Sequence, residues 1–337
     1  MRRKLRKIRK IRKIRKIRKI RKIRKIRKIR KIRKIRKPGK RLKRTNIVLS
    51  GKRGSRISDK WAKTKVLRAN PMLRRHIPLT KRMTKVSLRT MLLKFGMVYI
   101  KPNRGSQGHG VMKVERIIAG KTGRKKSFVY QLDEKRSDFS NYESAYRSIL
   151  RDTKGKPYLV QKGIHLIKHS GRPFDTRLVV QRAPHGGWEA TGTISRVAHP
   201  RKIVTNGSQG GTIYPTAFLL GSHANTAKRI ALMKKMDSIG VKTAKRLRQA
   251  YPGIMEIGVD FALDSKLKPW ILEVNTHPDH CPFALLSDQS MLRKIIRYGK
   301  AYGRTYRMNC LKAKQGLLPE RSTGRLPAPP HMRTGKR

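Results

Sequence analysis

The sequence predicts a mixed α/β chain of the α+β type, and three features carry that prediction. Ile257, Val259 and Phe261 alternate with Gly258, Asp260 and Ala262; a turn over 264–269 and a second strand over 270–274 complete an antiparallel strand pair. Residues 97–101 and 111–115 read as short strands joined by a glycine-rich connection. Longer stretches with terminating signals, such as 81–95 before Gly96 and about 226–250, read as helices.

Taken in order, residues 1–44 hold 29 of the 88 basic residues and no acids, mostly as an Ile-Arg-Lys triplet repeated from Ile8 to Lys37. A three-residue step on an α-helix turns about 300°, so the isoleucine stripe circles the axis in about six triplets and keeps no apolar face. Period three also misses the alternation of a strand, so the segment is expected to be a solvated, disordered basic tail that binds polyanions without specificity. Residues 45–80 connect this tail to the body, with a helix at 60–70 before Pro71. A first subdomain is expected over 81–160, built from the helix at 81–95, the strands around the glycine loop, a strand near 127–131 and a helix near 142–151. A second, over 161–312, takes strands at 177–181 and 191–197, the long helix, the strand pair at 256–275 and a last helix at 289–303. Residues 313–337 are Pro-rich and basic, and read as a second disordered tail.

Composition narrows the function classes. A chain of 337 residues with 37% hydrophobic content is long enough for two domains and an enzyme core. Two cysteines, Cys281 and Cys310, are too few for a disulfide framework, which makes a reducing compartment, the cytoplasm, the default. Apolar runs such as 217–220 fall far short of the roughly 20 residues of a membrane span, so no transmembrane segment is expected. The basic N-terminus lacks the apolar segment of a secretory signal. Outside the tail, 59 basic residues face 17 acidic ones, a net charge of +42, so nucleic-acid binding is a rival reading. Aromatics at 6% give few stacking platforms for single strands.

The scarce carboxylates concentrate at 256–275. Asp260 beside Glu273 and Asn275 would place three oxygen donors on one sheet face, a set suited to Mg2+; the bland alternative is neutralisation of nearby Lys and Arg. In the glycine loop, Gly105, Gly108 and Gly110 permit close approach and unusual dihedrals, so backbone N–H groups can meet an anion, with Lys101 adding a point charge; an ordinary turn explains the same residues. The loop returns into a strand, which excludes a dinucleotide fingerprint, and Gly120-Lys121-Thr122 lacks the upstream glycine of a P-loop. His277, His280 and Cys281 could suggest zinc, against a plain pocket loop.

Together these segments resemble the ATP-grasp superfamily, and within it the YheC/YheD family of endospore coat-associated proteins. The resemblance runs in order through Ser58-Asp59-Lys60, Tyr99-Ile100-Lys101-Pro102, the loop Gly105 to Val111, the hinge Tyr158 to Ile164, Phe174-Asp175-Thr176-Arg177, Gly192 to Arg196, Thr205-Asn206 with Gly210-Gly211, Gly258-Val259-Asp260 and Leu272-Glu273-Val274-Asn275-Thr276. It covers about residues 57–303. It implies an ATP-grasp fold in which two α+β subdomains clasp ATP.

By that resemblance the ATP-binding residues are Lys60, Lys101, Gly105, Ser106, Gln107, Gly108, Gly110, Val160, Gln161, Lys162, Gly163 and Leu272. Asp260, Glu273 and Asn275 hold one or two Mg2+ ions, and Arg177 and Arg196 orient the transferred phosphoryl group and its acceptor. Lys162 stands where many relatives carry an acid, so Gln161 or the backbone must receive the adenine amino group; His165 and Lys168 are the polar candidates near the ribose. The implied activity is an ATP-dependent carboxylate-amine ligation through an acyl phosphate, on small-molecule or peptide substrates. The alternatives are a spore-coat-associated structural protein with residual nucleotide binding, and a basic nucleic-acid-binding protein.

Overall fold

The computed structural model describes residues 57–119, 125–205, 210–306 and 313–316. The predicted tail at 1–44, Asn206 and most of 313–337 lie outside them. The α+β class holds: two antiparallel-rich sheets are flanked by helices.

Helix α1 (Lys60–Arg68) starts where the Asp59 carboxylate accepts from the Ala62 amide at 2.7 Å. The short α2 (Pro71–Arg74) follows an Asn70 cap with proline at its first position. Residues 81–95 do not form one helix. Thr80–Arg82 is an edge strand, β1, and the helix, α3, runs Lys85–Phe95. The reason is local: Thr84 and Ser87 cap each other reciprocally, at 3.0 and 2.8 Å, and fix the helix start four residues later than the apolar pattern suggests.

Strands β2 (Met97–Pro102), β3 (Met112–Ala119), β4 (Lys125–Leu132), β5 (Lys135–Phe139) and β6 (Tyr158–Lys162), with helix α4 (Tyr142–Thr153) before β6, complete the first layer. Its sheet has the order β1-β6-β2-β3-β4-β5, with every neighbouring pair antiparallel. Leu88, Met91 and Leu92 of α3 cover Val98, Ile100, Met112 and Val160.

The second sheet collects β8 (Arg172–Arg182), β9 (Trp188–Val197), β10 (Thr212–Pro215), β11 (Glu256–Leu263), β12 (Pro269–Asn275) and β13 (Lys314–Gln315), in the order β12-β11-β8-β9-β10-β13, with β7 (Lys168–His169) beside β8. Helices α5 (Thr216–Leu220) and α6 (Thr226–Ala250) follow β10. On one face, α1, α2 and α6 bury Leu178, Val180, Val259 and Phe261 with Leu232 and Met236. On the other, a 3-10 turn (Cys281–Leu285) and helix α7 (Ser290–Ala301) cover Val179, Ile194 and Ile213. Strand β11 is buried at every position, so any charge on it must be paired within the protein.

The capping box makes a discriminating test. Thr84→Ala should lower stability by about 1 kcal/mol, whereas Lys81→Ala, on an exposed edge strand, should stay within about 0.5 kcal/mol of wild type. Urea unfolding of both variants checks this; equal losses would mean that the helix starts at residue 81 after all.

Candidate functional site

A cleft open to solvent lies between the two sheets. From the predicted set it is lined by Lys60, Lys101, Ser106, Gly108, Gln161, Lys162, Leu272, Asp260, Glu273 and Arg196, drawn from seven separate segments of the chain. Gly105, Gln107 and Gly110 belong to the same loop as Ser106 and Gly108, outside the lining itself. Val160 is a core residue of the first sheet, fully buried, and Gly163 follows β6 with its amide bonded to the Met97 carbonyl at 3.0 Å. Asn275 sits opposite Gly258 across the strand pair, and Arg177 lies behind Asp260.

The glycine loop is held at its base by the start of α1. Asn103 accepts from the Lys60 amide through its carbonyl (2.9 Å) and from the Trp61 amide through its side chain (2.8 Å), while its own amide donates to Pro157 at 2.9 Å. Gly105, Gln107, Gly108 and Gly110 all have positive φ. At Gly110 a side chain would also strike the Tyr158 hydroxyl, 2.8 Å from a Cβ built there, so this position needs glycine twice over. The Lys60 ammonium donates to the Gly105 carbonyl at 2.7 Å and lies 3.4 Å from Glu273. One lysine thus ties the loop to a carboxylate of the second sheet.

Lys101 is partly buried at the cleft wall and donates to the Leu272 carbonyl at 3.1 Å. Burial, assisted by Lys60 and opposed by Glu273 and Asp260, pushes its ammonium down from 10.5 to about 8.

On the cleft face of the second sheet, charges alternate in register. Asp260 is opposite both Glu273 and Arg177, and Asp175 is opposite Arg196. Arg177 holds Asp260 through Nε and through Nη2 at 2.9 Å; Arg196 bonds Asp175 (Nε, 2.8 Å) and reaches Asp260 at 3.1 Å. Burial disfavours the Asp260 anion, but Arg177 and Arg196 outweigh it and hold the carboxyl at about 2. Gly258 makes room for this arrangement, since a Cβ there would lie 3.2 Å from Cδ of Arg177 and 2.8 Å from Pro278. The motif reading singled out the two arginines and passed over Asp175 as a site residue. Its signal was available: it shares a strand face with Arg177 two positions on.

The hinge departure has a structural answer. The Lys162 ammonium lies over the rings of Phe95 and Trp270, 5.3 and 5.5 Å from their centroids. Gln161 donates through its side-chain nitrogen to Thr80 at 3.0 Å, which leaves its amide oxygen as an acceptor. The loop after β12 is tied by side chains other than metal ligands: His280 bonds Glu256 at 3.1 Å and His277 meets Arg304 at 2.6 Å. Among the described residues no group of three or more His, Cys, Asp or Glu side chains is gathered for a metal ion.

A family profile described as "YheC/D like ATP-grasp" matches residues 53–305. Two Bacillus subtilis (strain 168) proteins are similar. Endospore coat-associated protein YheD is 26% identical over 228 residues, 67% of this chain and 49% of that protein. Endospore coat-associated protein YheC is 22% identical over 270 residues, 80% and 72% respectively. The chain therefore spans about half the length of YheD. A solved structure, that of D-cycloserine synthetase DcsG, aligns with a TM-score of 0.42 at 14% identity, covering 70% of this chain and 67% of that one.

The depressed Lys101 ammonium has a stability signature that needs no ligand. Its folded-state pKa lies below the unfolded one, so its charge penalises the fold fully below about pH 8 and ceases to do so above 10.5. Lys101→Met should therefore be more stable than wild type at pH 7, by up to about 3 kcal/mol, with the gap narrowing as pH rises from 8 toward 10.5. Paired urea titrations across that range check it; a pH-independent gap would show that the amine is not desolvated.

Proposed function

Because the chain belongs to the YheC/D-like ATP-grasp family, we propose that its cleft binds Mg-ATP and uses it to activate a carboxylate as an acyl phosphate, which an amine or similar nucleophile then attacks. The observation that carries this reading is the convergence in one cleft of two lysines, a glycine loop and facing carboxylates from separate segments of the chain. The base would lie between the hinge at Gln161–Lys162 and Leu272, with the Gln161 amide oxygen accepting from its amino group. Lys60 and Lys101 would take the phosphates, exchanging the Gly105 and Leu272 carbonyls for stronger anionic partners.

The donor set fits Mg2+. Glu273 has one ammonium at 3.4 Å and a partly exposed carboxylate, while Asp260 is kept ionised directly across from it; two hard oxygen ligands plus phosphate oxygens and water satisfy such an ion. Asn275, on the same strand face, is the third candidate ligand, and Asp175 lines the same cleft. Held by Asp260, Glu273 and Asn275, one or two Mg2+ ions would supply positive charge that offsets that of the phosphates. The chain's own residues do the rest. Ser106 and Gly108 of the glycine loop would cover the phosphates and exclude water from the activated acyl group. Arg196, directed into the cleft by Asp175, would orient the transferred group, with Arg177 behind it.

A second reading follows from the two relatives, both named as endospore coat-associated: a coat-associated cytoplasmic protein that keeps nucleotide binding without ligation. Substrates for the first reading are carboxylates and amines, small or peptidic.

Glu273→Gln is the cleaner probe of the site. Asp260→Asn would strip counter-charge from two buried guanidinium groups and cost about 3–5 kcal/mol of stability. Calorimetry on the full chain should find Mg-dependent ATP binding, weakened at least tenfold in Lys101→Ala and stripped of its Mg dependence in Glu273→Gln, with both variants still folded by circular dichroism. Absence of ATP binding by the wild type would sink the nucleotide reading. Binding without phosphate release, over a panel of carboxylates and amines, would favour the coat role.

A further inference from the structure

The face of the second sheet opposite the cleft carries a feature that nucleotide chemistry does not use. Helix α6 holds eight basic residues and a single acid, Asp237. Its buried stripe, Leu232, Met236, Ile239, Thr243, Ala244 and Leu247, packs on the sheet, and its solvent face presents Lys234, Lys235, Lys242 and Lys245. These four ammonium groups span about 16 Å of helix axis. Among the described residues none of the four makes an ion pair, whereas exposed lysines elsewhere do, as in Lys85 with Glu143 and Lys294 with Glu189.

The row extends sideways. Burial, and then the charges of Lys235, Lys268 and Arg75, hold His76 below its ordinary range against its bond to the Pro269 carbonyl, so the field of these cations reaches the imidazole. Lys268 has partners of its own, the Trp270 ring at 3.8 Å and the charge of Asp264, which also bonds the Trp270 indole at 2.9 Å and two backbone amides; Asp237, the one acid on α6, is half-buried.

We propose that this face of α6 is a docking surface for the phosphodiester backbone of duplex nucleic acid, bound without sequence readout. Duplex DNA carries one charge per about 1.7 Å of axis, so a straight row of this length meets several phosphates at once. Lysine suits that partner, being a point charge that neutralises phosphate without demanding bidentate geometry. The face offers no exposed aromatic ring for unpaired bases. The sheet behind α6 keeps the row straight, so a stiff polyanion matches it with less ordering than a flexible acidic polypeptide would need.

The test is lysine acetylation footprinting of the full chain, read by mass spectrometry, with and without a random-sequence DNA duplex. Lys234, Lys235, Lys242 and Lys245 should lose reactivity several-fold, while Lys81 and Lys300, exposed on other elements, should not. Replacing the four by glutamine should lower the slope of log affinity against log salt by about 3 to 4, the basic tail contributing equally to both proteins. Uniform protection of all lysines, an unchanged salt slope, or equal protection by polyglutamate would overturn the proposal. Nucleotide binding in the cleft does not enter either readout.

Discussion

The structure turns on one buried charge. Asp260 lies on a strand covered on both faces, where an unpaired carboxylate would cost several kcal/mol. The antiparallel register answers this by placing Arg177 directly across on one side, with Arg196 reaching in from the next strand and bringing Asp175 as its own counter-ion. Two cations and two anions make a neutral square, and neutrality is what allows it to be buried. The other end of β11 repeats the solution: Glu256 is enclosed by His280, Tyr302, Tyr306 and Arg304. These attachments fix the loop that leaves β12, so the ends of both carboxylate strands are held from behind.

The two sheets are coupled through α1. Asn103 anchors the base of the glycine loop to the first turn of that helix, and Lys60 in the same turn joins Gly105 to Glu273. The body of α1 meanwhile packs on the second sheet, with the Lys63 ammonium donating to the Val274 carbonyl at 2.6 Å. An anion arriving in the cleft would meet lysines already presented from both sides. Their present partners are mainly backbone carbonyls, weaker than phosphate, so exchange is downhill.

How much of this was legible depends on whether the signal was local. The strand pair at 256–275 was readable because alternation, turn and carboxylate clustering coincide, and α6 because cap and periodicity agree over 25 residues. Strand β1 was not, since three residues leave no period; its existence depends on pairing with β6, distant in sequence. Strand β5 is similarly short, with mostly exposed positions. In the cleft, the lysines, the loop and the acids were found through motif order. Asp175, the counter-ion of Arg196, was not, because an ion pair between β8 and β9 is set by register, which no single segment encodes. The role of Lys162 was hidden for the same reason: Phe95 and Trp270, which flank its ammonium, come from a helix end and a strand far apart in the chain.

Scarcity of acid links these observations. Of 17 carboxylates in the whole chain, Asp175, Glu256 and Asp260 are buried among cations, and Asp59 and Asp264 bond backbone amides at a helix start and a turn. Few are left to neutralise surface lysines, and the solvent face of α6 shows the result. The same scarcity shapes the cleft. Asp260 serves two arginines before any metal arrives, with Oδ1 shared between Arg177 and Arg196 and Oδ2 bonded by Arg177 alone, so a cation sharing Oδ2 would weaken those ion pairs. A guanidinium so loosened would gain from another anion, and a polyphosphate beside the metal is such an anion. Metal and nucleotide would therefore bind with positive coupling, each supplying what the other's arrival removes.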